Sequence, residues 1–445
     1  MVKKITPKKN KKNNLKKCKK RNNPRKKHTK IIIVIFGLIF LISIIVAYFI
    51  VKEYQVRQEQ ERRDNLVALI TANYHQYVTT TSIATIYEYQ DGEYQAVGSI
   101  AANVNLQLNS SDITYETQYF QITDLDYYIA YDKVTPAEEP VVNNRYKSYI
   151  VFNKNIVTND QTNFYDTDGN LVITINKSYD LPIIINDSNQ YGIEFYNQLL
   201  YVKKDDVKEI KKVTNTSEKV RTNIRTLTYH TVYDKKTQKC NNIYVCHPIA
   251  QFEEHMKYLH DKNYLTLTME ELEMFLDGKI RIPKKSIVIT LDDGKFLSNS
   301  VPLVEKYQIH ATFFIITSKF SIEKYKNSDY AHFESHTDDL HHNYVCNSGY
   351  YGGQLLCEDY DKIIADLKLS QEKLGDSLYF AYPFFDSNAR AIKALKETGF
   401  KMAFIGEYNS QGYSDSKTDR YQLRRKTVFG DDSLSTLKGY LAESE

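Results

Sequence analysis

The chain has 445 residues, with 59 Lys and Arg against 55 Asp and Glu, five cysteines, 37 tyrosines and no tryptophan. Residues 1–30 hold 13 Lys and 2 Arg without an acidic residue, so subtracting 15 from the formal +4 leaves residues 31–445 at −11. That length admits two or three domains with separate cores, and the acidic balance beyond the tail excludes nucleic acid as a partner of the larger part.

In chain order, residues 1–30 form a basic tail, and Ile31 to Val51 run for 21 residues without a charge. At about 1.5 Å per residue such a helix matches a hydrocarbon core of about 30 Å. The apolar run passes directly into KEYQVRQEQERR with no small-residue cleavage site, which predicts a retained transmembrane signal-anchor. Basic residues on its N-terminal flank put the tail in the cytoplasm and everything after Lys52 outside the cell membrane. Residues 52–77 carry Leu66, Val67, Leu69 and Ile70 at helical spacing and predict a membrane-proximal stalk.

Residues 78–215 change to alternating Tyr, Ile, Val and Thr broken by DG, NSSD, TND and TDG, the pattern of short strands and turns. IYEYQDGEY from Ile86 and FYDTDGNL from Phe164 are each followed by a similar closing segment, YYIAYDKV and LYVKKDDV. These predict two repeats over about 79–139 and 156–213. Their opening and closing strands resemble tandem Src-homology-3-like modules of bacterial wall proteins. The tyrosines could stack on sugar rings, but strands favour tyrosine in any case, and that is the preferred reading.

From residue 222 onward β and helical segments alternate. IRTLTYH, KSIVITLDD, HATFFIIT, HFESHT, LYFAYP and KMAFIG read as strands, and FEEHMKYLHDK, EELEMFLDG, VPLVEKY, YDKIIADLKLSQEKLG and ARAIKALKETG as helices. Repeated βα units predict a parallel barrel or sheet with its chemistry at the C-terminal ends of the strands.

Four of the five cysteines form two close pairs, Cys240 with Cys246 and Cys346 with Cys357, while Cys18 lies in the tail. An extracellular setting reads the pairs as two local disulfides, with cross-pairing open. Zinc knuckles use shorter ligand spacings.

The chemistry concentrates in two places. In IVITLDDGKF, Asp292 and Asp293 follow a strand; an Asp-Gly turn is the ordinary reading of such a sequence. In FESHTDDLHH, His336 and His341 are too far apart to share a helix face and face opposite ways on a strand, so they converge only in an irregular loop, with His342 left to that loop. One carboxylate and two imidazoles are a donor set that zinc or a related divalent ion accepts while keeping positions open. The second aspartate is then free to act as a base.

TLDDG, HATFFI, SHTDDLH and FAYPF together resemble the motifs of the polysaccharide deacetylase family, the NodB-homology carbohydrate esterases, over about Ile224 to Leu441. TLTYHTVYD, lying ahead of the DDG motif, and the His-x4-His spacing are similar to a permuted branch that includes poly-N-acetylglucosamine deacetylases. The resemblance implies an α/β fold, a distorted (β/α) barrel over residues 222–445. It implies Asp292 as base, Asp293, His336 and His341 as metal ligands, and a divalent metal, Zn2+ first with Co2+, Ni2+, Mn2+ or Fe2+ as alternatives. Pro383 and Phe384 match the segment whose backbone N–H meets the oxyanion, Asp386 an acidic residue beside it, and Arg425 a late arginine at the barrel rim. His230, ending RTLTYH, is the candidate acid that protonates the leaving nitrogen. Three departures stand out: Leu291 replaces the usual Phe, Ala381 stands where many members have Arg, and Phe385 stands where Gly is usual, which bears on the Phe384 amide.

The function so implied is hydrolysis of N-acetyl groups on an N-acetylhexosamine polymer of the envelope, either peptidoglycan or poly-N-acetylglucosamine. The partners are that glycan and the membrane; nothing in the sequence names a protein partner. Two other readings remain at this stage: a wall-binding protein whose deacetylase fold has lost activity, and a glycosidase, which would need two carboxylates about 5 Å or about 6.5 to 9.5 Å apart across a glycosidic bond and no histidine pair.

Overall fold

The computed structural model describes residues 24–141, 144–214, 220–407 and 412–442. Cys18 and most of the basic tail lie outside these residues.

Pro24–Asn73 is a single α-helix, and among the described residues it is the one long and apolar enough to cross a membrane. The anchor and stalk expected at 31–51 and 52–77 are thus continuous: no glycine or proline interrupts the chain after Gly37, and Arg57–Glu53 and Arg63–Glu59 pairs bridge successive turns. The helix stops at Asn73, and Tyr77 already begins a strand.

The β-rich region repeats one set of pairings. Tyr77–Thr80 lies between Asn105–Gln107 and Val134–Pro136 in the first half, as Lys154–Thr158 lies between Asp180–Pro182 and Val207–Lys212 in the second. Each half has a hairpin, Ala84–Gln90 with Glu93–Ile100 and Thr162–Tyr165 with Leu171–Ile175, and a short 3-10 turn before its last strand. Glu93–Ile100 pairs with Leu171–Ile175, which joins the hairpins in one nine-stranded sheet.

In the C-terminal half each expected strand and helix is present. Asn223–Tyr229, Ser286–Leu291, Ala311–Ile315, Ala331–Ser335, Tyr379–Ala381 and Met402–Phe404 pair in parallel, in that order. Ser286–Leu291 is buried at all six positions, as a strand covered on both faces must be. Tyr360–Leu374 ends at Gly375 with φ 77, the left-handed stop expected of that glycine. Lys426–Thr427 pairs in parallel with Leu227 and Thr228, and Leu423 bridges Phe404, so this late segment touches both ends of the parallel order.

The core does not divide at the boundary expected near residue 222. Tyr146, Ile184 and Ile185 of the β-rich region share one buried cluster with Ile224, Leu272 and Phe314. Arg145 adds a two-pronged ion pair to Glu271, at 2.5 and 2.6 Å, and Tyr149 donates to the same carboxylate. The β-rich region is therefore part of the body on which the C-terminal half is built.

Candidate active site

Four of the candidate residues stand just beyond a parallel strand. His230 follows Tyr229, Asp292 follows Leu291, His336 follows Ser335, and Pro383 lies two residues past Ala381. Local backbone then decides which way the paired carboxylates face. Asp293 adopts φ 73 and Gly294 φ 94. A Cβ on Gly294 would lie 2.9 Å from the Ile315 side chain, so the position accepts no larger residue without a shift. The sharp bend separates the two aspartates, and each finds different partners.

Asp292 is buried and grips Arg425 in a two-pronged pair, Nη1 to Oδ1 at 2.7 Å and Nη2 to Oδ2 at 2.8 Å. Burial pushes its carboxyl up, but Arg425, His336 and His230 together outweigh burial and hold it at about 2. It is thus an anion across the physiological range. His230 Nε2 stands 4.0 Å from Asp292 Oδ2.

Asp293 faces the histidines instead. Its Oδ1 lies 3.7 Å from His336 Nε2 and 3.4 Å from His341 Nε2. One ligand atom from each of the three residues lies within 4.8 Å of the others, and among the described residues this is the one group of three or more potential metal ligands that converges. The His336 Nδ1 donates to the Ala381 carbonyl at 2.7 Å, which fixes the tautomer and leaves Nε2 free to coordinate. Burial lowers both imidazoles, His341 to about 4, so both are neutral as ligands must be. The donor set fits a divalent ion. His342 stays outside it, half exposed and near Asp339.

Phe384 and Phe385 both have positive φ, 59 and 62, which is costly for bulky residues and places the backbone as a glycine would. Among the described residues no acceptor takes the Phe384 amide. The Phe385 ring lies 5.2 Å from the Arg425 guanidinium and 6.3 Å from the His230 ring, while Phe384 packs 4.4 Å from His341. The aromatic residue in the place of the usual glycine covers the buried ion pair.

Two expected roles need correction. Arg425, expected at the barrel rim, is fully buried and spends its guanidinium on Asp292. Asp386 is also buried, and its carboxylate accepts from the backbone amides of Tyr350, Tyr351 and Gly353 at 2.5, 2.9 and 3.2 Å. It anchors the loop that carries those amides and is not turned toward the oxyanion segment's partners.

One contributor escaped the sequence reading. Asp366, on Tyr360–Leu374, accepts from the amides of Asp338 and Asp339 at 2.9 and 2.7 Å and so braces the loop between the two histidines. Burial pushes its carboxyl up to about 6. Its signal was an acidic residue on the helix face that carries the buried Ile363 and Ser370. Both expected disulfides form, Cys240–Cys246 and Cys346–Cys357.

The family model described as "Polysaccharide deacetylase" matches residues 279–403. A poly-beta-1,6-N-acetyl-D-glucosamine N-deacetylase of Staphylococcus aureus is 30% identical over 209 residues, covering 42% of this chain and 69% of that relative. The chain belongs to the polysaccharide deacetylase family. It is an N-deacetylase by that membership. A putative polysaccharide deacetylase of Bacillus subtilis is 29% identical over 210 residues, 44% of this chain and 70% of that one. A solved Streptococcus pyogenes deacetylase in complex with acetate is 20% identical, with a TM-score of 0.41, over 49% of this chain and 98% of that chain.

Proposed function

We propose that this deacetylase hydrolyses N-acetyl amides of an N-acetylhexosamine polymer in the cell envelope, releasing acetate and leaving a free amine on the glycan. The observation that carries the reading is the division of labour between adjacent aspartates: Asp293 converges with His336 and His341, while Asp292 remains an anion beside them.

A divalent ion, zinc first, would be held by Asp293, His336 and His341 and would supply Lewis-acid polarisation of the acetyl carbonyl. Asp292, oriented by Arg425, takes the proton of the attacking water. The Phe384 amide donates to the carbonyl oxygen as negative charge develops there; one such donor typically contributes about 10² to 10³ in rate. The leaving nitrogen needs a proton before the C–N bond breaks, and we assign its delivery to His230, a reading supported by its Nε2 lying 4.0 Å from Asp292.

The parallel strands, with the Leu423–Thr427 segment at both ends of their order, support a closed, distorted (β/α) barrel spanning about residues 222–445. The repeated pairings at 79–139 and 156–213 support two Src-homology-3-like modules within the β-rich region. The helix Pro24–Asn73 supports a single-pass anchor, with the basic tail inside and the deacetylase outside. Poly-N-acetylglucosamine is the substrate the similar Staphylococcus aureus enzyme is named for, and peptidoglycan is the glycan nearest the anchor. Acetate release from each polymer tests the reading and separates the two.

A further inference from the structure

The cleft over the site, about 1050 Å³, is lined in part by two loops that the disulfides close. Cys240–Cys246 encloses Tyr244, and Cys346–Cys357 encloses Tyr350 and Tyr351, all three of which line the cleft. Tyr244 is 60% exposed and Tyr350 84%. Large aromatic faces left in water on otherwise tied-down backbone call for an explanation, because mobile tips ordinarily carry small polar residues.

The second loop is held from within. Beyond the three amides gathered by Asp386, Gly352 at φ 54 accepts the amides of Val345 and Cys346 on its carbonyl, and a Cβ there would lie 2.1 Å from the Cys346 oxygen. The amide of Tyr344 donates to the Tyr351 carbonyl at 2.7 Å. Such a loop loses little conformational freedom when something binds to it. From it a continuous line of rings leads inward: Tyr350 to Tyr351 at 4.5 Å, Tyr351 to Phe384 at 5.8 Å and Phe384 to His341 at 4.4 Å. A hexosamine ring has an apolar C–H face and hydroxyls at its edge, which matches a tyrosine's apolar face and polar tip.

We propose that Tyr244, Tyr350 and Tyr351 form an aromatic wall that stacks on the sugar rings flanking the one being deacetylated, and that Asp386 is the positioning residue that sets this wall. The inference rests on the proposed N-deacetylation and adds what selects a polymer over a single sugar: a monosaccharide has no flanking rings to rest on the wall.

The test is steady-state kinetics of the full-length protein on N-acetylhexosamine oligomers of increasing length and on a small activated acetyl ester. In the native protein KM falls as the oligomer lengthens. Tyr350→Ala with Tyr351→Ala should raise KM for long oligomers about tenfold and flatten that length dependence. Both kcat and ester turnover should stay within about twofold. Tyr350→Phe with Tyr351→Phe, which keeps the rings, should restore native KM. Asp386→Asn, which loses one acceptor and turns an N–H toward the loop amides, should shift KM in the same direction as the alanine pair. An unchanged length dependence in the alanine pair would overturn the proposal, as would equal losses on ester and oligomer. Native protein that releases no acetate from any oligomer would overturn the N-deacetylase reading itself, and the wall with it.

Discussion

Replacing Arg425 with methionine keeps the length and apolar stem of the side chain and removes the guanidinium from Asp292. Both partners are almost inaccessible, 0% and 2% exposed at the side chain, so water cannot take over as partner. Holding a carboxyl at about 2 instead of its ordinary 3.8 corresponds to roughly 2–3 kcal/mol of stability at neutral pH. Breaking a buried pair from one side also strands a charge, which raises the expected loss to ~3–5 kcal/mol. The sign of the pH dependence should change as well. In the native protein the Asp292 contribution is complete above the ordinary carboxyl value and is lost as pH falls through about 2. Without Arg425, burial acts with less opposition, the carboxyl rises above its ordinary value, and mild acid stabilises the variant. Urea unfolding of the detergent-solubilised chain at neutral pH and near pH ~4 measures both effects. A loss below ~1 kcal/mol with an unchanged pH slope would refute the reasoning.

His230→Ala should lose most amide turnover while keeping the bound ion, and the loss should shrink on an acetyl ester whose leaving group departs without a proton, as compared by parallel assays. Equal losses on both substrates would leave His230 without the acid role. A chain beginning near Val220 should be destabilised by about 5 kcal/mol, because it strips Tyr146, Ile184 and Ile185 from a shared core and leaves the buried Glu271 without Arg145. Thermal unfolding would show this as an early transition, and a truncated chain as stable as the whole would contradict it.

Much of the site was legible because its chemistry follows strands with strong patterns. A buried apolar run ending in two carboxylates, and two histidines spaced so that neither a helix nor a strand could join them, left convergence in a loop as the way to bring them together. Composition and spacing alone did not say which aspartate takes which job; the family resemblance assigned Asp292 as base and Asp293 as ligand, and the left-handed backbone at Asp293 is what turns the two apart. Arg425 was expected at the rim, yet its partner lies 133 residues away and a motif position carries no direction. Likewise, the place of Asp386 near Pro383 says nothing about which amides its carboxylate gathers. The anchor and stalk were separated by a change in polarity that leaves helical backbone uninterrupted.

The most direct test of the account is acetate released from poly-N-acetylglucosamine and from peptidoglycan by the full-length protein, before and after removal of divalent ions. The account predicts acetate from at least one polymer, its loss on chelation, its return with zinc, and its abolition by His341→Ala but not by His342→Ala. Acetate release that survives chelation, or that depends on His342 more than on His341, would contradict it.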